Sequence, residues 1–157
     1  MKNTIKIHLK NKEDYINNYN NEILSYNLSN YILEETKGIS TKQKIKFEIY
    51  SDFNMNEIEK NNFVEMIRKN FGADISEILN LSTKIRIINS LILFIGIIFI
   101  LIESTLKTEI LSEFTLIIGW IFIGEAICNI LYKEVENRHN TARKKQIVNA
   151  KIIFNNN

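Results

Sequence analysis

Two apolar runs constrain this chain more than anything else in it. IINSLILFIGIIFILI occupies residues 87–102, and FTLIIGWIFIGEAICNILY occupies residues 114–132. A helix that crosses a bilayer needs roughly 17–25 apolar residues at about 1.5 Å rise each. Both runs are near that length, and the first reaches it when Ile85 and Leu106 are included. The expected spans are therefore about 87–106 and 114–132. The competing reading is a pair of core helices in a soluble bundle. It is disfavoured because ILFIGIIFILI has no polar face and a 157-residue chain cannot cover such a helix all round.

The remaining charge fits this reading. From Ile87 to Leu131 only Glu103, Lys107, Glu109, Glu113 and Glu125 are charged. Before the first span stand Arg68, Lys69, Lys84 and Arg86, and after the second stand Lys133, Arg138, Arg143, Lys144 and Lys145. The connection 103–113 carries one Lys and three Glu. By the positive-inside rule both termini are cytoplasmic and the acidic loop faces out, which predicts a two-pass protein of a bacterial inner membrane. The N-terminus MKNTIKIHLKNK has no apolar core of the kind a signal peptide needs. The chain has no proline, 22 Asn and 31 Ile, the residue usage of an AT-rich genome, so its Asn-rich patches read as drift.

The predicted fold class is an α+β membrane protein. Its parts are a small cytosolic β-α-β-α domain over residues 1–82, a transmembrane hairpin over 83–132, and a cytosolic basic helix with a C-terminal strand over 133–157. Ile5, Ile7 and Leu9 alternate with Lys6, His8 and Lys10, and Ile45, Phe47 and Ile49 alternate with Lys44, Lys46 and Glu48. Both are half-buried strands. Residues 13–36 read as helix, broken near Asn20 or Asn27 and stopped by Gly38. Asn54 and Glu57 have capping-box spacing for a second helix that ends near Gly72. The closing run Ala150–Phe154 is strand-like and would complete a three-stranded sheet, since two strands alone are marginal.

Several polar residues are candidates for function. Glu125 lies near the middle of the second span, where a charge costs at least ~2.5 kcal/mol on the mildest scale. At helical spacing it shares a face with Cys128, Asn129, Tyr132 and Glu136, and Arg86, Asn89 and Ser90 form a matching stripe on the first span. Two helices cannot enclose a water path, so such stripes point to a homo-oligomer with a pore or a polar helix seam. A protonated carboxyl that merely holds copies together is the plainer alternative. Gly124 and Cys128 form a small-xxx-small pair that would let helices approach.

In the cytosolic domain Lys6, His8, Lys10, Lys44 and Lys46, joined by Lys151, form an outward lysine face. It suits an anion, a nucleotide or single-stranded nucleic acid. The plainer alternative is an ordinary wet face of an antiparallel or mixed sheet. Tyr15, Tyr19 and Tyr26 fall on one helical stripe and read as core. Other chemistries are excluded. One cysteine rules out a disulfide scaffold, and one Cys with two His cannot assemble a four-ligand thiolate metal site. No Gly-rich phosphate loop, HExxH or nucleophile elbow occurs. The expectation is a protein that is not an enzyme and uses no cofactor or metal.

Asp14 and Tyr15 with Tyr19 and Asn20, the stretch Tyr31–Glu35 with Lys37 and Gly38, Met66 and Arg68 with Asn70 and Gly72, and Gly119 and Trp120 with Glu125 and Ala126 carry a resemblance. They resemble a group of small two-pass membrane proteins of low-GC Gram-positive bacteria, of unsettled activity. In architecture the chain is similar to membrane effectors of bacterial anti-phage systems such as the Hailong effector. That likeness implies a ligand-restrained oligomeric pore, controlled by a nucleotide or short DNA at the cytosolic domain and associated with a nucleotidyltransferase partner. A non-conducting membrane anchor whose cytosolic domain docks a partner protein is the alternative.

Overall fold

The computed structural model describes residues 3–156. It divides into two compact units: residues up to Ser76 together with those from His139, and Glu77–Arg138. The protein is α+β, with a small sheet and two long apolar helices.

The first unit is built on a three-stranded sheet. β1 (Thr4–Leu9), β4 (Lys46–Ser51) and β5 (Lys151–Asn156) lie in the order β1-β4-β5 and are all parallel. Thr4 pairs with Lys46 and Leu9 with Ser51, while Lys46 pairs with Lys151 and Phe47 with Ile152. The expected C-terminal strand thus closes the sheet, and the central strand is β4, between β1 and β5 in chain order. Ile5, Ile7, Leu9, Ile45, Phe47 and Ile49 are buried on one face, as period-two alternation requires. Against them pack α1 (Tyr26–Lys37) through Leu28 and Ile32 and the first turns of α2 (Glu57–Glu103) through Phe63, Ile67 and Phe71. The end of α3 (Glu109–Val148) adds Ile147.

The segment expected as one broken helix over 13–36 is different. A 3-10 turn (Lys12–Asp14) and a hairpin of β2 (Ile16–Asn17) and β3 (Asn20–Leu24) precede α1. The asparagines cause this. Asn11 and Asp14 form a reciprocal capping box. The Asn17 side chain accepts from the Tyr19 N–H at 2.9 Å, and that of Asn20 from the Glu22 N–H at 2.9 Å. Such local side-chain bonds offer the backbone an alternative to the helix. Tyr15 is therefore core, as expected, but Tyr19 and Tyr26 are exposed and share no stripe with it. Gly38 does cap α1.

Two further boundaries move. The capping box of α2 is Asn56 with Glu59, not Asn54 with Glu57. Asn56 Oδ1 accepts from the Glu59 N–H at 2.8 Å, and Glu59 Oε2 accepts from the Asn56 N–H at 3.0 Å. Gly72 does not end that helix, which runs unbroken to Glu103. A helical glycine costs only about 1 kcal/mol relative to alanine, less than the burial of Phe71 beside it returns.

The turn that joins α1 to β4 is tied down by the end of α3. The buried Arg143 guanidinium donates to the carbonyls of Thr36 and Ile39, and the Gln146 amide donates to Ser40 O at 2.9 Å and Gln43 O at 2.6 Å. Lys144 pairs with Asp74. Nothing in the local sequence distinguishes Arg143 from the other basic residues of the tail. Arg143→Ala strips a charged donor from two carbonyls and is expected to destabilise this unit by about 2–3 kcal/mol, read as earlier urea unfolding. A change under about 0.5 kcal/mol, the scale of an unremarkable surface substitution, would contradict this account.

Two carboxylates give the unit an acid-side dependence. Lys12 Nζ sits 2.5 Å from Glu59 Oε1. That hydrogen bond, followed by the Asn56 N–H, holds the Glu59 carboxyl below the usual carboxylate range. Lys46, at 2.6 Å, does the same to Glu48, with help from Tyr50. Groups depressed in the folded state stabilise it above their unfolded value of about 4.5, and the contribution is lost as pH falls through the lower folded value. Stability is thus expected to fall from pH ~5 downward. The double variant Glu48→Gln, Glu59→Gln should flatten that slope in urea titrations, and an unchanged slope would refute the assignment.

Candidate functional site: an open sheet face and a polar stripe on an apolar hairpin

Among the described residues, no layer of helices covers the second face of the parallel sheet. Alternation places Lys6 and His8 of β1, Lys46, Glu48 and Tyr50 of β4, and Lys151 and Ile153 of β5 there. Four of the six expected ligand-binding residues, Lys6, His8, Lys46 and Lys151, come together on this face. Lys10 and Lys44 lie just outside the strands, Lys10 with its N–H bound to the Asp14 carboxylate at 2.6 Å. The sheet is neither antiparallel nor mixed, and this changes the reading of its wet side. Parallel sheets are normally covered on both faces, and this one has its core on one face only.

The face is not purely cationic. Glu48 stands between Lys6 and Ile153 in register and takes Lys46 as its counter-ion at 2.6 Å. The His8 and Tyr50 rings stack at 4.9 Å with an interplanar angle of 12°, and Lys6 Nζ lies 5.9 Å from the Tyr50 centroid. Sequence reasoning missed Tyr50 as part of this cluster, although it is the next alternate position after Glu48 on the same strand. The arrangement offers two unpaired cations among the described residues, Lys6 and Lys151. Beside them are a two-ring aromatic step and one carboxylate acceptor.

The second unit is a helical hairpin. Its turn is shorter than expected: only Ser104–Thr108 lie outside the helices, and α3 begins at Glu109. Residues 104–106, counted in the first span, belong to the turn. Buried positions recur at seven-residue spacing, Asn89 and Gly96 on α2, Gly119 and Ala126 on α3. This seven-residue recurrence marks the seam along which the two helices pack closely. A Cβ on Gly96 would lie 2.8 Å from Ile123 Cγ1 and 2.9 Å from Gly119 O, and one on Gly119 would lie 3.0 Å from Gly96 O. The close approach belongs to this pair. Gly124, expected to mediate it with Cys128, has nothing within 4 Å of its Cβ position. Below the apolar stretch the helices are joined by Asn137 Nδ2 donating to Ser82 Oγ at 2.6 Å and by Arg86 with Glu134 at 3.7 Å.

The stripe residues divide. Asn89 is buried in the seam, where its amide donates to Ile85 O at 3.0 Å, and Asn129 is half-buried. Glu125, Cys128, Tyr132, Ser90 and Arg86 are exposed on the outer surface of the hairpin. Among the described residues Glu125 has no hydrogen-bond or ion-pair partner within the chain. Around it lies a broad exposed apolar surface that includes Leu91, Phe94, Leu101, Phe114, Trp120 and Leu131. Hydroxyls near the hairpin tip are satisfied locally: Ser104 on Leu101 O, Thr105 on Ile102 O, Thr115 on Leu111 O.

No known protein family, curated protein or solved structure matches this chain.

Proposed function

We propose that the hairpin crosses a bacterial inner membrane with both termini cytoplasmic, and that several copies assemble into a pore gated by a nucleotide or short nucleic acid at the α+β unit. The observation that carries this reading is Glu125. It stands exposed and unpartnered in an apolar belt whose two 18-residue windows are each only 11% buried within the chain. Core helices of a soluble protein are mostly covered, whereas this belt needs lipid around it. A carboxyl in lipid in turn needs a polar neighbour, and the hairpin supplies none, so other copies must. Exposed Cys128 and Tyr132 and half-buried Asn129 would share that interface. Its likeness in architecture to anti-phage membrane effectors suggests defence as the setting and a nucleotidyltransferase as the source of the ligand.

The mixed charge of the open sheet face favours a second reading. Glu48 in its centre weakens a platform for a polyanion and suits a partner protein, with the hairpin as a non-conducting anchor. Inducing the protein alone in a bacterial host and following a voltage-sensitive dye separates the two. The pore predicts rapid depolarisation, and Glu125→Ala is expected to abolish it or to dissolve the oligomer in detergent. Membrane-inserted protein without depolarisation would transfer the assignment to the anchor.

A further inference from the structure

A cleft of about 450 Å³ opens at the carboxyl ends of β4 and β5. Its walls come from the β4–α2 connection, the first turn of α2 and β5. In α/β units with parallel strands, ligands bind in the crevice outside these strand ends, and the volume lies within the usual range of ligand sites, about 300–1,000 Å³. Phe53 and Phe154 give it aromatic walls and Met55 an apolar floor. Phe154 is held edge-on by Phe63, with centroids 5.8 Å apart, so its ring is fixed while staying half-exposed. Asp52 and Asn54 supply polar side chains to the lining. Lys60 brings the one cation of the lining, its Nζ 5.9 Å from the Phe154 centroid and 2.9 Å from the carboxylate of the well-exposed Glu57.

We infer that this cleft binds a mononucleotide, with the base against Phe154, its polar edge read by Asp52 and Asn54, and the phosphate on Lys60. The carboxylate and the amide decide the ligand class. A plain aromatic acid would leave Asp52 facing it without a donor, whereas a base offers ring or amino N–H groups to both. At the α2 N-terminus the Glu59 carboxylate accepts from the Asn56 N–H at 3.0 Å and sets a negative charge there, so the phosphate falls to Lys60. The site deepens the sensor reading and rests on it only for the choice of probe. It does not depend on whether the hairpin conducts. Its consequence for that reading is direct, since the cleft is walled by the start of α2 and by β5, the segments that precede and follow the apolar helices in the chain.

The test is ligand-observed saturation-transfer NMR on the full chain in nanodiscs, with the four common nucleoside 5′-monophosphates and indole-3-acetate as probes. Saturable binding of at least one nucleotide, weakened about tenfold or more by Lys60→Gln and by Phe154→Leu, is expected. Lys6→Gln with Lys151→Gln should leave it unchanged, because those residues lie on the other site. Phe154→Leu also touches the core, so Lys60→Gln, checked for an unaltered unfolding midpoint, is the deciding variant. The assignment is overturned by no saturable nucleotide binding at millimolar concentration, by equal binding of indole-3-acetate, or by loss of binding in the sheet-face variant instead. Depolarisation assays report separately on the pore, so either idea can fail without the other.

Discussion

Ending the chain after Asn149 is expected to unfold the α+β unit. The truncation removes β5 and leaves β1 and β4 as a two-stranded sheet, which is marginal in water. It strips the edge of β4, uncovers Phe47 and Ile49, and takes away the Phe154 ring that packs on Phe63. Losing even partly buried Ile and Phe side chains costs about 2–4 kcal/mol each, and the whole unit has only about 5–15 kcal/mol to lose. Amide exchange of β1 and β4 in the truncated protein should approach that of an unfolded chain. Native-like protection there would show that β5 is an accessory strand and not the third member of the core.

The second large effect is expected at Gly96. Leucine in its place puts a branched side chain where Ile123 Cγ1 and the Gly119 carbonyl already stand within 3 Å of the Cβ position. Ile123 can rotate, but a backbone oxygen cannot retreat without the helices moving apart. Overpacking of this kind costs about 1–3 kcal/mol, and more when backbone must shift. Gly96→Leu should therefore open the hairpin and lower its unfolding midpoint in detergent, and Gly119→Leu should match it. Gly124→Leu, with open space at its Cβ position, should change little within the hairpin. If Gly124→Leu nevertheless breaks an oligomer while leaving the hairpin intact, copies meet along the Gly124, Glu125 and Cys128 side of α3.

How much of this was legible beforehand depended on periodicity. The strands around Ile5–Leu9 and Ile45–Ile49 and the two apolar helices follow from spacing two and from unbroken hydrophobic runs, and these survive into the structure. The β2–β3 hairpin did not announce itself, because the same asparagines that suggested drift are the side chains that fold back on their own backbone. Helix length was misjudged at Gly72, where tertiary packing of Phe71 outweighs a small local preference. The lysine face was legible to within two residues. The carboxylate of Glu48 inside it takes on meaning only once Lys46 is seen beside it. The grip of Arg143 on Thr36 joins positions more than a hundred residues apart, and no local pattern encodes it.

The order in which the strands are made has its own consequence. β1 and β4 are synthesised before both apolar helices, and β5 after them. During translation the half-built sheet must wait with one edge of β4 unpaired while the hairpin emerges. Proteins synthesised from their N-terminus fold domain by domain as they appear, but this unit has no such option. The apolar hairpin is therefore complete before the sheet of the α+β unit can close; in the proposed membrane assignment, insertion precedes folding of that unit. A chain stalled before the membrane is expected to present an open strand edge and an uncovered apolar belt together, the combination that quality-control chaperones and proteases recognise.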